Sequence, residues 1–190
     1  MPVRYMPELK AGPFGTRGGP RVGPIQITPK LPPPKPPAGV RIENRIGIQA
    51  PAEVIWEVIS DLRSWEQWNK LYPKASGQIH IGSVLDLTLA LPDQAPQEIK
   101  PVVLEWVPNE QLHWKLTMLG GLVRTIRYLE IEAIPGAGCI ISNGEIFGGF
   151  LGPRVAKRMG RNIQRAFLQN NEDLKARAES LWEARQNQTV

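Results

Sequence analysis

The sequence has 190 residues, of which 42% are hydrophobic and 22% charged, and it carries a formal net charge of +5 at pH 7. This size and composition provide for one globular domain with a core but are short for two. A single cysteine, Cys139, excludes an intrachain disulfide, and with only two histidines a classical zinc site is not expected. The basic balance permits contact with anionic lipids or nucleic acid but establishes neither.

The sequence contains no membrane-spanning pattern. No stretch approaches the roughly 18 to 20 apolar residues that a transmembrane helix needs. Prolines and glycines interrupt the N-terminal residues, so no apolar core of a signal peptide is present there. We therefore expect a soluble, cytoplasmic protein, and nothing in the sequence calls for a cofactor or a metal.

Residues 1–38 are rich in proline and glycine and end in a run of prolines. Proline fixes φ and lacks an N–H donor, so this segment is predicted to be a flexible tail with polyproline II character. The spacing of Lys30, Pro33 and Pro36 matches an SH3-type ligand, but a plain spacer accounts for the same residues.

Regular patterns begin after Gly39. Four apolar residues alternate with charged ones and predict a half-buried strand: Val40, Ile42, Ile46 and Ile48. Pro51 then suits the first turn of a helix, whose apolar positions are Val54, Ile55, Val58 and Ile59. A second short helix is predicted from Trp65 to Asn69, and Pro73 prevents its continuation.

The middle of the chain is predicted to be a series of strands, at 76–81, 83–90, 97–107, 111–118, 123–134 and 139–147, separated by glycine- and proline-containing turns. A long helix follows from Gly152 to about Arg185. Its apolar stripe is Val155, Met159, Ile163, Phe167, Leu174 and Leu181. This order predicts an α+β fold with an antiparallel sheet in a domain spanning 39–184, followed by a disordered C-terminus at 185–190.

Four segments of the domain resemble the START/Bet v 1-like (SRPBCC) superfamily, and within it the polyketide cyclase/dehydrase-like group. They are Ile48 to Trp56, Asp61 to Asn69, Asn143 to Gly152, and Phe167 to Glu179. The resemblance covers Val40 to about Trp182. It implies a helix-grip fold, in which a curved antiparallel sheet of about seven strands wraps around the long C-terminal helix, with two short helices after the first strand. It does not identify an activity, because this fold serves many functions.

The resemblance also implies a cavity between the sheet and the long helix that holds a small hydrophobic ligand. Apolar and aromatic side chains usually line such pockets. The candidates for ligand binding are Trp68, Leu87, Leu89, Trp106, Trp114, Leu116, Met118, Tyr128, Phe147, Phe150, Met159, Ile163 and Phe167. Each of them could equally be packed core, since alternate residues of a strand face opposite sides.

Polar residues that could carry chemistry are few. His80 and His113 could act as bases, since histidine is the usual general base in proteins, but no carboxylate is spaced to orient them. By location, the residues that resemble the polar groups of cyclases are Arg124, Arg127, Tyr128 and Glu145. We expect Arg127 to face solvent beside an inward Tyr128. Glu145 must be paired or neutral if it faces inward, but the sequence slightly favours a surface position.

Five cations lie near the start of the long helix, away from its apolar stripe: Arg154, Lys157, Arg158, Arg161 and Arg165. They form either a solvated face or a contact with an anionic membrane. No aromatic residues are interleaved with them to stack bases, so nucleic acid is not expected. The glycine pairs at 120–121 and 148–149 are either hinges for ligand entry or plain turns.

The sequence therefore favours a protein that binds a small hydrophobic molecule, such as a lipid, a polyketide or an aromatic compound. The first alternative is an enzyme of the polyketide cyclase/dehydrase or aromatase type that uses polar residues in the same cavity. The second is a membrane-docking or regulatory protein. The ligand and the oligomeric state do not follow from the sequence.

Overall fold

A computed structural model of the chain describes residues 38–188. The proline-rich tail and its SH3-like spacing lie outside the described residues. The first strand and the short helices occur where the sequence predicts them: β1 at Val40–Ile48, α1 at Ala52–Ser60, a 3₁₀ turn at Leu62–Ser64, and α2 at Trp65–Trp68.

Apart from a second 3₁₀ turn at Leu119–Gly121, the remaining elements are seven strands and one helix. They are β2 at Lys74–Ser76, β3 at Asp86–Leu89, β4 at Gln97–Ile99, β5 at Val102–Val107, β6 at Gln111–Met118, β7 at Val123–Ile134, β8 at Gly138–Gly148 and α3 at Gly152–Gln188. None of the helices among residues 38–188 is both long and apolar enough to cross a bilayer.

The strands form two antiparallel sheets. The larger sheet has the order β1-β8-β7-β6-β5, and β2, β3 and β4 form the smaller one. A single bridge between Val84 and Val102 links them. The α+β helix-grip prediction is confirmed, but the predicted strand 97–107 is divided at Pro101, whose carbonyl instead accepts a hydrogen bond from the Leu85 amide at 2.9 Å. Proline cannot donate to a strand ladder, which accounts for the division.

Directly opposed residues form rows across the larger sheet. One row crosses all five strands and consists of Ile42, Glu145, Arg127, Trp114 and Val103. Because side chains alternate between the two faces of a strand, all five lie on the same face. This inner face is the one that packs against α3, and the row places two charged residues in its middle.

The orientation of β7 is the reverse of the predicted one. Val123, Thr125 and Arg127 point to the inner face, whereas the Tyr128 hydroxyl donates a hydrogen bond to Glu43 Oε2 on the outer face. The odd-numbered residues of β7 are mostly apolar, and Arg127 is the charged exception among them. The Tyr128 ring lies over Gly144, where a Cβ would overlap it.

The C-terminal half of α3 is held to the sheet by a buried amide network. Asn143 Nδ2 donates to Asn170 Oδ1 at 3.1 Å and to Asn171 Oδ1 at 2.6 Å, and Asn170 Nδ2 donates to Asn69 Oδ1 at 3.0 Å. Leu174 and Ala178 continue this half as fully buried core. The helix extends to Gln188, past Arg185, near which the sequence predicts its end.

Candidate functional site

A cavity of about 340 Å³ lies between the inner face of the larger sheet, the smaller sheet and the N-terminal half of α3. Val155, Met159, Ile163 and Phe167 cover it from the helix, at the i, i+4 spacing of a single helical face. The volume is at the lower end of the range of about 300–1,000 Å³ that is typical of small-molecule sites.

Eight of the predicted binding residues lie together in the wall of this cavity. They are Leu89, Trp114, Leu116, Met118, Phe147, Met159, Ile163 and Phe167. Three of them come from α3, where the helical period of the apolar stripe gives the face unambiguously. That they contact a ligand stays a prediction.

The other five predicted residues lie elsewhere. Leu87 is completely buried in the core, Trp68 packs edge-on against Trp65, and Trp106 stacks on His80. Tyr128 lies on the outer face, and Phe150 is exposed on the loop before α3. Apolar character correctly indicated the burial of Leu87 but could not tell core from cavity wall, and it did not indicate that Phe150 is exposed.

Sequence reasoning missed several wall residues. They are Tyr72, Leu91, Gln94, Gln97, Ile99, Leu119, Val123, Thr125 and Val155. Arg127 and Glu145 were named as polar candidates, but the sequence favoured an outward position for both, whereas they line the cavity. The alternation of the whole of β7, read over all twelve residues, identifies Val123, Thr125 and Arg127 as one face. Tyr72 and Leu91 lie in irregular segments, where no periodicity marks a face.

Arg127 and Glu145 form the polar part of the cavity wall, directly opposite each other on β7 and β8. The Arg127 Nη1 donates to the Gly144 carbonyl at 2.8 Å, and its guanidinium lies 3.8 Å from the centre of the Phe167 ring. Its Nε and Nη2 are buried without a hydrogen-bond partner among the described residues. The packing thus fixes Arg127 tightly while leaving two of its donor atoms unused.

The electrostatics of this polar part come from burial and from the Arg127 charge. Burial raises the pKa of Glu145 above its usual value, although the positive charge of Arg127 and a hydrogen bond from Thr125 oppose the rise. Burial likewise raises the pKa of the Tyr72 phenol, against the effect of Arg127. Glu145 therefore offers the cavity a carboxyl group that takes up a proton more readily than one in water, because burial raises its pKa.

The other candidate polar residues lie outside the cavity. His113 is on the outer face, where Nδ1 is 3.3 Å from Glu105 Oε2 and Nε2 is 3.1 Å from Glu130 Oε1. Carboxylates that the sequence could not place beside His113 are therefore present, but they are not part of the cavity wall. His80 and Arg124 are exposed. Of the polar candidates, Glu145 and Arg127 alone are in the wall of this cavity.

A family model for polyketide cyclase / dehydrase and lipid transport proteins matches residues 39–179, so the chain belongs to this family. This confirms the superfamily to which the sequence was assigned by resemblance. No curated protein matches the chain.

Solved structures share the fold. The di-domain ARO/CYC StfQ from the steffimycin biosynthetic pathway is 13% identical with a TM-score of 0.59, over 74% of this chain and 51% of StfQ. The di-domain ARO/CYC BexL from the BE-7585A biosynthetic pathway is 17% identical with a TM-score of 0.55, over 76% of this chain and 50% of BexL. Protein MLL2253 from Mesorhizobium loti is 17% identical with a TM-score of 0.58, over 74% and 98% of the two chains.

The chain thus spans about half the length of StfQ and of BexL. At these identities the likeness concerns the fold alone, because one fold hosts many activities.

Proposed function

We propose that this protein binds a small, largely apolar molecule in the cavity beneath α3, with an oxygen-bearing group of that molecule at Glu145. The observation that carries the proposal is a carboxyl group in a wall otherwise made mainly of aliphatic and aromatic side chains. Pockets of this composition take up apolar molecules and orient them by a few polar contacts.

The polar pair defines the kind of group that fits beside it. When Glu145 is ionised, Arg127 opposite it makes the pair neutral overall, which suits a neutral polar group better than an anion. A protonated Glu145 can donate a hydrogen bond to a carbonyl, and an ionised one can accept a hydrogen bond from a hydroxyl. A ketone or a hydroxyl on a hydrocarbon or aromatic frame meets both conditions.

A matched pair of tryptophan substitutions tests whether the cavity is the binding site. Leu116 lies in the cavity wall, and Thr117, its neighbour on β6, is exposed. Leu116→Trp should fill the cavity and abolish binding of a fluorescent apolar probe, whereas Thr117→Trp should bind it like the wild type. Native mass spectrometry of the unmodified protein, purified from its own host, should show a co-purified apolar molecule. Equal probe binding by the two variants would refute the site.

A second candidate function is enzymatic, and the Glu145–Arg127 pair favours it. A carboxyl group in a cavity wall, with a pKa raised by burial, can donate and accept protons, as cyclisation and dehydration of a polyketone require. Arg127 would stabilise negative charge developing on a neighbouring oxygen. This assignment rests on the same carboxyl group as the binding proposal.

Glutamine substitutions separate the two candidates. Glu145→Gln retains the shape of the side chain but cannot transfer a proton, and Glu132→Gln makes the same change at an exposed residue of β7. With a synthetic polyketone as probe, an enzyme would release products lighter by water, and Glu145→Gln alone would stop their formation. If both variants and the wild type bind the polyketone and return it unchanged, the protein acts as a binder.

A further inference from the structure

Three large apolar side chains are exposed on two adjoining loops at one end of the molecule. Leu119 is 66% exposed, Leu122 47% and Phe150 76%. The loops are joined by a hydrogen bond from the Leu151 amide to the Leu122 carbonyl at 2.9 Å, so the three side chains belong to one surface. We call these three residues the mouth patch. Contiguous exposed apolar residues of this kind mark interaction sites.

The mouth patch borders the cavity. Leu119 is exposed to solvent and is also part of the cavity wall, as are its neighbours Met118 and Val123. The Val155 amide, at the start of α3, donates to the Leu151 carbonyl and ties the second loop to the helix that covers the cavity. Whatever contacts the mouth patch therefore lies next to the cavity.

Leu119 adopts a strained backbone conformation. Its φ is +51°, and Gly120 and Gly121 follow at +62° and +93°. A left-handed conformation costs a residue with a side chain about 1–2 kcal/mol, and only glycine adopts it freely. The strain lies in the residue that is exposed and lines the cavity, which is typical of functional segments.

Cations surround the mouth patch. Arg154 and Arg158 are exposed one helical turn apart on α3, and the Arg154 guanidinium lies 5.5 Å from the centre of the Phe150 ring. Arg124, at the start of β7, reaches back beside Gly121 of the first loop. Among residues 38–188 these three arginines form no ion pair, whereas Arg165, further along α3, pairs with Asp93 at 3.1 Å. We call Arg124, Arg154 and Arg158 the basic rim.

The basic rim is placed against the helix dipole. Cations are favoured at the C-terminus of a helix and disfavoured in its first turns. The first turn of α3, which begins at Gly152, nevertheless contains Arg154 and no acidic residue. An anionic partner would offset this cost.

We propose that the mouth patch and the basic rim dock the protein on the surface of an anionic membrane. Apolar side chains that insert between lipid headgroups, flanked by arginines that contact them, are how peripheral proteins bind such a surface. Exposed aromatic and leucine side chains at the centre and cations at the edge match this arrangement. Docking in this orientation places the cavity at the bilayer, from which an apolar molecule enters without crossing water.

Vesicle sedimentation of the full chain tests the proposal. The wild type should bind vesicles of phosphatidylcholine with phosphatidylserine, and bind vesicles of phosphatidylcholine alone much more weakly. Binding should weaken at high salt. Phe150→Ser should lower the affinity for the anionic vesicles about tenfold, since one large apolar side chain no longer inserts. Reversing two rim charges with Arg154→Glu and Arg158→Glu should lower it by at least about tenfold.

A matched double variant on the same helix is the control. Lys157→Glu with Arg161→Glu changes the net charge equally, but these residues lie beside β1 rather than at the mouth patch. It should lose clearly less affinity than the rim variant. Equal losses would show that the net charge, and not this surface, binds the vesicles, and would overturn the proposal.

Absence of binding to anionic vesicles, or binding unaffected by Phe150→Ser, would also overturn it. Binding of the fluorescent apolar probe is measured separately in solution, so failure of docking and failure of ligand binding are distinguishable.

Discussion

The two halves of α3 meet the same sheet in different ways. The N-terminal half covers an open cavity with spaced side chains such as Met159 and Ile163. The C-terminal half packs on the sheet through the fully buried Leu174 and Ala178 and the amide network of Asn143. One helix therefore anchors the domain at one end and covers a cavity at the other. Stability and binding should accordingly respond to different substitutions along it.

The largest expected effect is in the anchored half. Leu174→Ala should lower the free energy of unfolding by about 3 kcal/mol, because Leu174 is fully buried and its removal leaves a void. Denaturant unfolding measures the loss. Binding of an apolar probe should change little in the folded fraction. A loss well below about 1 kcal/mol would mean that this half is not tightly packed.

The amide network should come next. Asn143→Ala removes the donor shared by Asn170 and Asn171 and should cost about 2 kcal/mol, since buried carbonyl oxygens then lack partners. Asn44, opposite Asn143 on β1, donates instead to the Gln164 carbonyl in an exposed hydrogen bond. Asn44→Ala is the control and should cost less than about 1 kcal/mol. Similar costs for the two variants would contradict a special role for the network.

Substitutions in the half of α3 that covers the cavity should affect probe binding more than stability. Met159→Ala should cost only about 1 kcal/mol of stability, because its side chain is half-buried beside existing open space. It should nevertheless weaken binding of an apolar probe by about tenfold, since a wall contact is lost. Unfolding and probe titration of the same preparation measure both quantities. A large stability loss with unchanged binding would contradict the division of α3.

The smallest expected effect depends on pH. The pKa of Glu145 is raised in the folded state above its ordinary value of 4.5, so folding takes up a proton there. Its contribution therefore favours folding at acid pH and is lost as the pH rises from the ordinary pKa through the raised one. Glu145→Gln lacks this dependence. The stability of the wild type relative to this variant should fall over that range in unfolding experiments. A constant difference would show that Glu145 is not desolvated.

The position and type of β1, α1 and α3 were predictable from the sequence, because the spacing of apolar residues indicates each of them directly. The face of a strand was predictable only where one side is clearly apolar. In β7 the charged Arg127 interrupts an otherwise largely apolar inner face, and Tyr128 on the outer face resembled a core residue. The charge buried at Arg127 is tolerated because Glu145 and the Gly144 carbonyl face it, and those partners come from another strand. A single sequence does not contain that pairing.

Gly144 joins the two faces of the sheet in one peptide unit. Its carbonyl holds Arg127 on the inside, while its missing side chain admits the Tyr128 ring on the outside, where that ring bonds to Glu43. Gly144 therefore connects the Tyr128 phenol on the outer face to Arg127 in the cavity wall. We expect the nuclear magnetic resonance signal of Tyr128 to shift when the cavity is filled, because Arg127 in the cavity wall and the Tyr128 ring both contact Gly144.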